Sequence, residues 1–349
     1  MSARRTALAA VAAGPTTNAG LWLDKYLRDQ TDDGDSGTGV GAKADLMADV
    51  CRLSTPPGYE EAFKARQQLL AGSRTLSGKA AVLGRMIVGL GNKGVIEVGV
   101  SLEHTWGVPY IPGSALKGLA AATAHQLIGG PEWSKPIDTE GQAIERAPNS
   151  YDVIFGSTED RGGVIFHDAW WVPAGTWPLK LDVITVHHGA YYGGGTVAPS
   201  DFDSPIPVSF MSCTGTYFVT VEASAHLPGP IEPWLESAMV LLKKGLADLG
   251  VGAKTSSGYG LMDLSFATGE ERRAQAAAAA KAKADGLAKQ VAQVNAGSAA
   301  QVVPGMMTNA ADAVQRKEIA QAVIAKLGKK WFKGREEVPW VKSLFDAAV

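Results

Sequence analysis

Only two cysteines, Cys51 and Cys213, occur in 349 residues. Two thiols make neither a disulfide framework nor a structural zinc set, and their scarcity fits a reducing, cytoplasmic setting. Both are expected to be small buried hydrophobes. No apolar run approaches the roughly 18 to 20 residues that a bilayer-crossing helix needs, so no membrane partner is expected. Metal signatures are missing too. The six histidines form no HExxH motif and join no Cys/His cluster. His187 and His188 are adjacent, so on a strand they face opposite ways and cannot easily share an ion. Neither a metal nor a cofactor is expected. Strong charge of either sign is lacking: 33 Lys and Arg against 35 Asp and Glu leave a net −2, without the basic footprint of many nucleic-acid binders.

What is present is an ordinary globular composition, 46% hydrophobic and 19% charged. The length allows two domains or one elaborated domain. The charge is unevenly placed. Residues 268–349 hold 13 basic and 8 acidic side chains, leaving 20 and 27 for residues 1–267. Any anion-binding surface in that acidic part must therefore be local. The start, MSARRTALAAVAAG, faintly imitates an export signal, but its apolar run is short and mostly alanine, so a flexible arm is expected.

The stretch from Glu103 to Ile128, EHTWGVPYIPGSALKGLAAATAHQLI, organises the rest. It reads as a strand end, a turn at Pro109, Pro112 and Gly113, then a helix with Leu116, Leu119, Ala120, Ala124 and Leu127 on one stripe. Ser114 suits the N-cap. Three residues on, where a capping box would place Glu, stands Lys117, a cation at the positive end of the helix dipole. Free N–H groups, a hydroxyl and an ammonium together suit a phosphate. A solvated surface lysine on an amphipathic helix is the competing reading.

A second glycine-rich stretch, LGVGAKTSSGYG, spans residues 249–260. Gly250, Gly252, Gly258 and Gly260 permit positive φ and close backbone approach. Lys254, Thr255, Ser256 and Ser257 supply one charge and three hydroxyls, and Tyr259 a ring able to stack on a base. Ala253 before the lysine and a helix-to-strand direction exclude a Walker loop. A loop that merely turns the chain remains the alternative. Gly89, Gly91 and Gly94 match dinucleotide-fingerprint spacing, but a strand-like run follows where a helix is required, which excludes a Rossmann site. Lys93 at that turn is a candidate phosphate contact or simply an exposed lysine.

Coarse periodicity predicts helices over residues 18–28, docking through Leu21, Leu23, Tyr26 and Leu27, and over 58–71. A Gly/Asp-rich linker covers 31–43. An apolar strand over 79–90 pairs with the alternating run Ile96, Val98, Val100, Leu102 as a hairpin. An insertion spans 129–149. Strands are predicted over 151–155, 163–171 and 179–186, a long loop over 187–205, and a hairpin over 208–213 and 216–223. Pro233 opens a helix with Leu235, Ala238, Met239, Leu242, Leu246 and Leu249 on one face. The class is α+β, and the order is compatible with a split βαβ unit carrying insertions. Residues 268–349 read as an added helical piece with a hinge at 298–307. Its basic, aromatic end, KLGKKWFKGREEVPW, suits RNA contact, or docking of a terminal helix onto the body.

PYIPGSALKG resembles the helix-start segment of the RAMP superfamily, the guide-RNA-binding proteins of CRISPR systems, and LGVGAKTSSGYG resembles their glycine-rich loop. With NAGLWLDKYL, GGVIFHDAW, LDVITVHHGAYYG and PIPVSF in the same order, the chain is similar to the subfamily of sixth RAMP subunits of type III-B (Cmr) effector complexes. The likeness runs from about Asn18 to Leu264. It implies a ferredoxin-like (RRM-like) RAMP domain with insertions over 1–267, followed by the helical extension over 268–349. It implies guide (CRISPR) RNA as ligand, target RNA reached indirectly, and other RAMP subunits as partners. It further implies a non-catalytic role in antiviral defense, at the guide 3′ end of the ribonucleoprotein. The RNA contacts would come from Lys93, His104, Tyr110, Gly113, Ser114, Lys117, Gly252, Lys254, Thr255, Ser256, Ser257 and Tyr259. The rival is a metal-independent endoribonuclease maturing guide RNA, with His104, Tyr110 and Lys117 as an acid/base group. Asp168 or Asp182 can be drawn into such a role, although strand aspartates are usually structural.

Overall fold

The computed structural model describes residues 6–7, 10–28, 41–92, 94–96, 99–135, 137, 140, 147–157, 159–173, 175–186, 191, 194, 196, 198–202, 206–310 and 312–348. Lys93, His187, His188 and most of the 31–43 linker fall outside them. The chain forms two compact units, Met1–Ala267 and Thr268–Val349.

In chain order the first unit holds α1 (Ala19–Lys25), α2 (Ala42–Cys51), α3 (Tyr59–Leu69), β1 (Thr75–Val82), β2 (Tyr110–Ile111), α4 (Gly113–Ala122) and α5 (Gly130–Trp133). There follow α6 (Ser150–Phe155), β3 (Val164–Phe166), β4 (Ala169–Trp171), β5 (Leu179–Val186), β6 (Ile206–Cys213), β7 (Thr216–Ala223), α7 (Ile231–Asp248) and β8 (Met262–Phe266). β1 lies between β7 and β8, antiparallel to both. β3 and β4 share the other edge of β7, and β2 lies outside β4. With α4 reached from β1, and α7 between β7 and β8, the order β8-β1-β7-β3 follows split βαβ connectivity.

Burial explains why the helices lie where they do. Leu116 and Ala120 of α4, and Leu235, Ala238, Met239, Leu242 and Leu246 of α7, are buried in one core with Leu76, Val219, Val221 and Leu264 from the sheet. Helix meets helix closely: a Cβ on Gly245 would overlap the Thr123 hydroxyl. After Ala122 the helix widens into a π-helical stretch, Thr123–Ile128, which turns Leu127 out to 37% exposure and off the expected stripe.

Several sequence-based expectations change. β1 begins at Thr75 and ends at Val82, and the described residues of 95–102 form no strand. Among the described residues, two backbone bonds, from Gly99 N to Leu90 O (3.2 Å) and from Ser101 N to Val88 O (2.7 Å), join the segments of the expected hairpin. Gly89 has φ 86°, which interrupts an extended run there. Residues 151–155 are helical because Asn149 forms a capping box with Asp152, and Tyr151, Ile154 and Phe155 are buried at helical spacing. β6 and β7 are joined at Gly215 but lie in different sheets. Both edges of β7 are already occupied, so β6 pairs with β5. In α1 and just after it, Leu23 is buried and Tyr26 and Leu27 pack against the core as expected, but Leu21 is 53% exposed and Trp22, stacked on Tyr26 at 4.4 Å, is buried instead.

The second unit contains α8 (Gly269–Ala292), α9 (Ala299–Thr308), α10 (Ala313–Leu327), α11 (Lys329–Phe332) and α12 (Pro339–Ala348). The expected hinge is helix α9, with Pro304 inside it. This unit has its own core, including Val294, Val303, Ile319, Val323, Phe332, Val341 and Leu344, and Trp331 and Trp340 pack against it. Packing within the unit thus covers part of each tryptophan, and both stay half-buried. No helix is long and apolar enough to cross a membrane among the described residues.

Burial pushes the Cys213 thiol up to about 12 and the Cys51 thiol up to about 11, so neither is a reactive thiolate near neutrality. Leu116 is fully buried and its neighbour Lys117 is not. Leu116→Ala should cost about 2 to 5 kcal/mol in urea unfolding, and Lys117→Ala less than about 0.5. Equal losses would show that the α4 stripe is misassigned.

Candidate nucleic-acid interface

Gly113 is the first residue of α4, and Pro112 rather than Ser114 precedes it as N-cap. Ser114 therefore sits inside the first turn, exposed, with Lys117 one turn on and half-exposed. A Cβ at Gly113 would overlap the Phe166 carbonyl oxygen, so glycine lets the helix begin against the β3–β4 corner. The Gly113 N–H donates to Asp168 Oδ1 at 2.7 Å. A carboxylate thus already takes the first free N–H of this helix start, where the helix dipole favours negative charge. Ser114 and Lys117 follow within the same first turn and a half of helix, and neither side chain has a hydrogen-bond or ion-pair partner among the described residues.

Around Asp168 lies a group that periodicity did not reveal. Arg66 of α3 donates to the Asp168 carbonyl at 3.1 Å and lies 4.5 Å from the Trp170 ring centroid. Tyr110 is the cross-strand neighbour of Trp170. Burial, then the Asp168 and Glu103 charges, raise the Tyr110 hydroxyl above its usual value, so it stays protonated at neutral pH. His104 is exposed in the turn before β2. Only the folded chain reveals this group: β2–β4 pairing brings Tyr110 to Trp170, and α3 brings Arg66, which is remote in sequence.

The glycine loop follows α7. Gly250, Gly252, Gly258 and Gly260 have φ of 73°, 93°, 86° and 77°. At Gly252 a Cβ would overlap the Ile87 carbonyl oxygen, and at Gly260 the Val251 carbonyl oxygen. Close backbone bonds replace those side chains: Ala253 N to Ile87 O (2.8 Å), Gly260 N to Arg85 O (2.8 Å) and Val251 N to Gly260 O (2.9 Å). The loop is thereby fastened to the chain leaving β1. Lys254, at φ 58°, is the one non-glycine residue in the left-handed region among those described, and a short 3₁₀ turn, Thr255–Ser257, follows it. Ser256, Ser257 and Gly258 are exposed, and Lys254 and Thr255 are half-buried. The side chains of Lys254, Thr255, Ser256 and Ser257 have no partner among the described residues. Tyr259 is different: its hydroxyl donates to Asp182 at 2.9 Å, and its ring lies 6.0 Å from Phe210. Both aspartates once open to a catalytic reading, Asp168 and Asp182, thus hold structure.

Strand register relates the two turns. Gly113 meets Phe166, which aligns through Val221 with Leu76 of β1. The glycine loop lies beyond the Val82–Met262 end, where Leu83 N bonds to Leu261 O. Six residues of β1, about 20 Å of strand, separate those two rows.

Residues 79–263 match the model of the RAMP superfamily, which is more than half the chain. The chain belongs to the RAMP superfamily. This RAMP protein is 29% identical over 249 residues to the CRISPR system Cmr subunit Cmr6 of Pyrococcus furiosus, covering 58% of this chain and 72% of that one. It is 26% identical over 193 residues to the Cmr6 subunit of Saccharolobus solfataricus, covering 55% of each. Among solved structures, it resembles a chain of the type III-B Cmr-β complex bound to cognate target RNA. There the TM-score is 0.47 and the identity 19%, over 63% of this chain and 70% of that one. Against the Cmr6 crystal structure from P. furiosus the TM-score is 0.34 and the identity 28%, over 54% and 97%. Membership rests on the sequence match.

The glycines separate by environment. Gly258→Ala, whose new methyl meets open space, should cost about 1 to 2 kcal/mol from its backbone alone. Gly260→Ala adds overlap with fixed backbone and should cost more than about 3. Equal melting temperatures for the two variants would contradict this loop geometry.

Proposed function

We propose that this RAMP protein is a non-catalytic subunit of a type III-B CRISPR complex that binds guide RNA toward its 3′ end. There it caps the helical backbone, between the backbone subunit and the complex's first RAMP subunit. Its curated relatives are named Cmr6, a Cmr subunit. The observation that carries the reading is the set of unpartnered donors at the two family motifs: Ser114 and Lys117 at one, Lys254, Thr255, Ser256 and Ser257 at the other. A lysine held at positive φ beside exposed hydroxyls fits a functional strain, since a glycine there would be easier for the backbone.

The separation of the two turns favours a strand of several nucleotides laid over both, rather than one phosphate clamped between them. Contacts of this kind are to phosphate and sugar. They suit a subunit that must accept many guides, with sequence left to base pairing. His104 and Tyr110 flank the first turn, and in this reading they position RNA. Lys93, at the 89–94 turn, remains part of the proposed contact set.

Replacing Lys117 and Lys254 together by Ala should weaken binding of two unrelated guide RNAs to the same extent. It should also flatten the slope of log affinity against log salt by about 1.4, two contacts at about 0.7 each. An unchanged affinity in fluorescence anisotropy would refute the assignment. Incubation with repeat RNA in EDTA should leave the RNA intact; a discrete cut abolished by His104→Ala would replace this reading with a nuclease.

A further inference from the structure

The acidic balance of residues 1–267 leaves long-range attraction for RNA unexplained, and the second unit carries the opposite balance, 13 basic against 8 acidic side chains. Much of that excess is gathered in one turn. In residues 328–335, GKKWFKGR, Gly328 (φ 75°) separates α10 from α11 and Gly334 (φ 81°) follows α11. Lys329, Lys330, Lys333 and Arg335 are exposed.

Lys326, just before the turn, is already engaged. Its ammonium donates to the carbonyls of Val291 (2.8 Å) and Ala292 (2.6 Å), at the end of α8. Lys329, Lys330 and Lys333, in contrast, have no side-chain partner among the described residues, although Glu336 and Glu337 follow closely in the chain. Among them stands Trp331, half-buried, with Phe332 at 5.0 Å and Trp340 at 6.1 Å fixing its ring. The Arg335 guanidinium lies 4.6 Å from the Trp331 ring centroid, tied by a hydrogen bond of 2.6 Å to the Trp331 carbonyl.

We infer that the α10–α11 turn of the helical unit is a second RNA-binding site, lying outside the family match at 79–263 and contacting single-stranded RNA. Lys329, Lys330 and Lys333 engage phosphates, while the Trp331–Arg335 pair offers a flat surface to an unstacked base. Free ammonium groups beside a fixed ring and a guanidinium plane are the two components that sequence-tolerant single-strand binding requires. An acidic protein surface would use the cations but has no need of the ring.

The test uses the full chain and a fluorescein-labelled single-stranded RNA without family-specific sequence. The variant K329Q/K330Q/K333Q should lose about tenfold or more in affinity at low salt, and about 2 from the salt slope, three contacts at about 0.7. The equally charge-depleted control K281Q/K289Q/K342Q should bind like the parent. Retained affinity in the first variant overturns the inference, as does an equal loss in the control, which would mean only generic attraction. Retained RNA binding with loss of association to another subunit overturns it in favour of a protein contact. The Lys117/Lys254 double variant measured alongside keeps this failure distinct from failure of the family-motif reading.

Discussion

The backbone contact between the glycine loop and the chain leaving β1 is the constraint on which the first unit depends. Gly252 and Gly260 lie against the Ile87 and Val251 carbonyls so closely that any side chain would overlap them. Hydrogen bonds from Ala253 and Gly260 to Ile87 and Arg85 close the contact. Through it, the end of α7 is held at the point where β1 exits and β8 begins. The hydroxyl-rich tip from Lys254 to Ser257 then projects from a rigid base. A rigid base allows a lysine to keep a left-handed conformation that costs it energy.

The first family motif uses the same device differently. Gly113 brings α4 against the Phe166 carbonyl, and Asp168 takes the axial N–H. The helix start that carries Lys117 therefore already meets a carboxylate, supplied from the β3–β4 corner. Because Asp168 already takes the Gly113 N–H, the proposed affinity for a phosphate would come mainly from the side chains around it. Binding there should accordingly be modest for each group and depend on several acting together.

Much of the first unit was legible in the residues. The buried stripe of α7, the presence of α4 after the Pro/Gly turn and the positive φ at all four loop glycines follow from apolar spacing and glycine placement, though α4 begins at Gly113 and Ser114 is not its cap. The failures share a cause, which is that pairing partners are chosen in three dimensions. Residues 208–223 look like a hairpin, yet β7 already has both edges filled, so β6 pairs with β5. Residues 95–102 alternate cleanly, but Gly89 breaks the extended backbone they would pair with. At 151–155 the missed signal was local: Asn149 and Asp152 spell a capping box that outweighs a strand-like composition. The cluster of Arg66, Trp170 and Tyr110 left no sequence trace, because it takes both β2–β4 pairing and the contact of α3 with β4 to assemble it.

The two units divide the physical work as their composition divides. In the proposed reading, the acidic RAMP unit supplies donors at glycine-built turns, and the basic helical unit supplies charge around Trp331. The most direct measurement of the central claim is ultraviolet crosslinking of the chain to guide RNA, with adducts mapped by mass spectrometry. The account predicts adducts in both peptides 113–118 and 252–259, joined to nucleotides a few positions apart on one guide. Crosslinks absent from both peptides, or reaching unrelated ends of the guide, would contradict it.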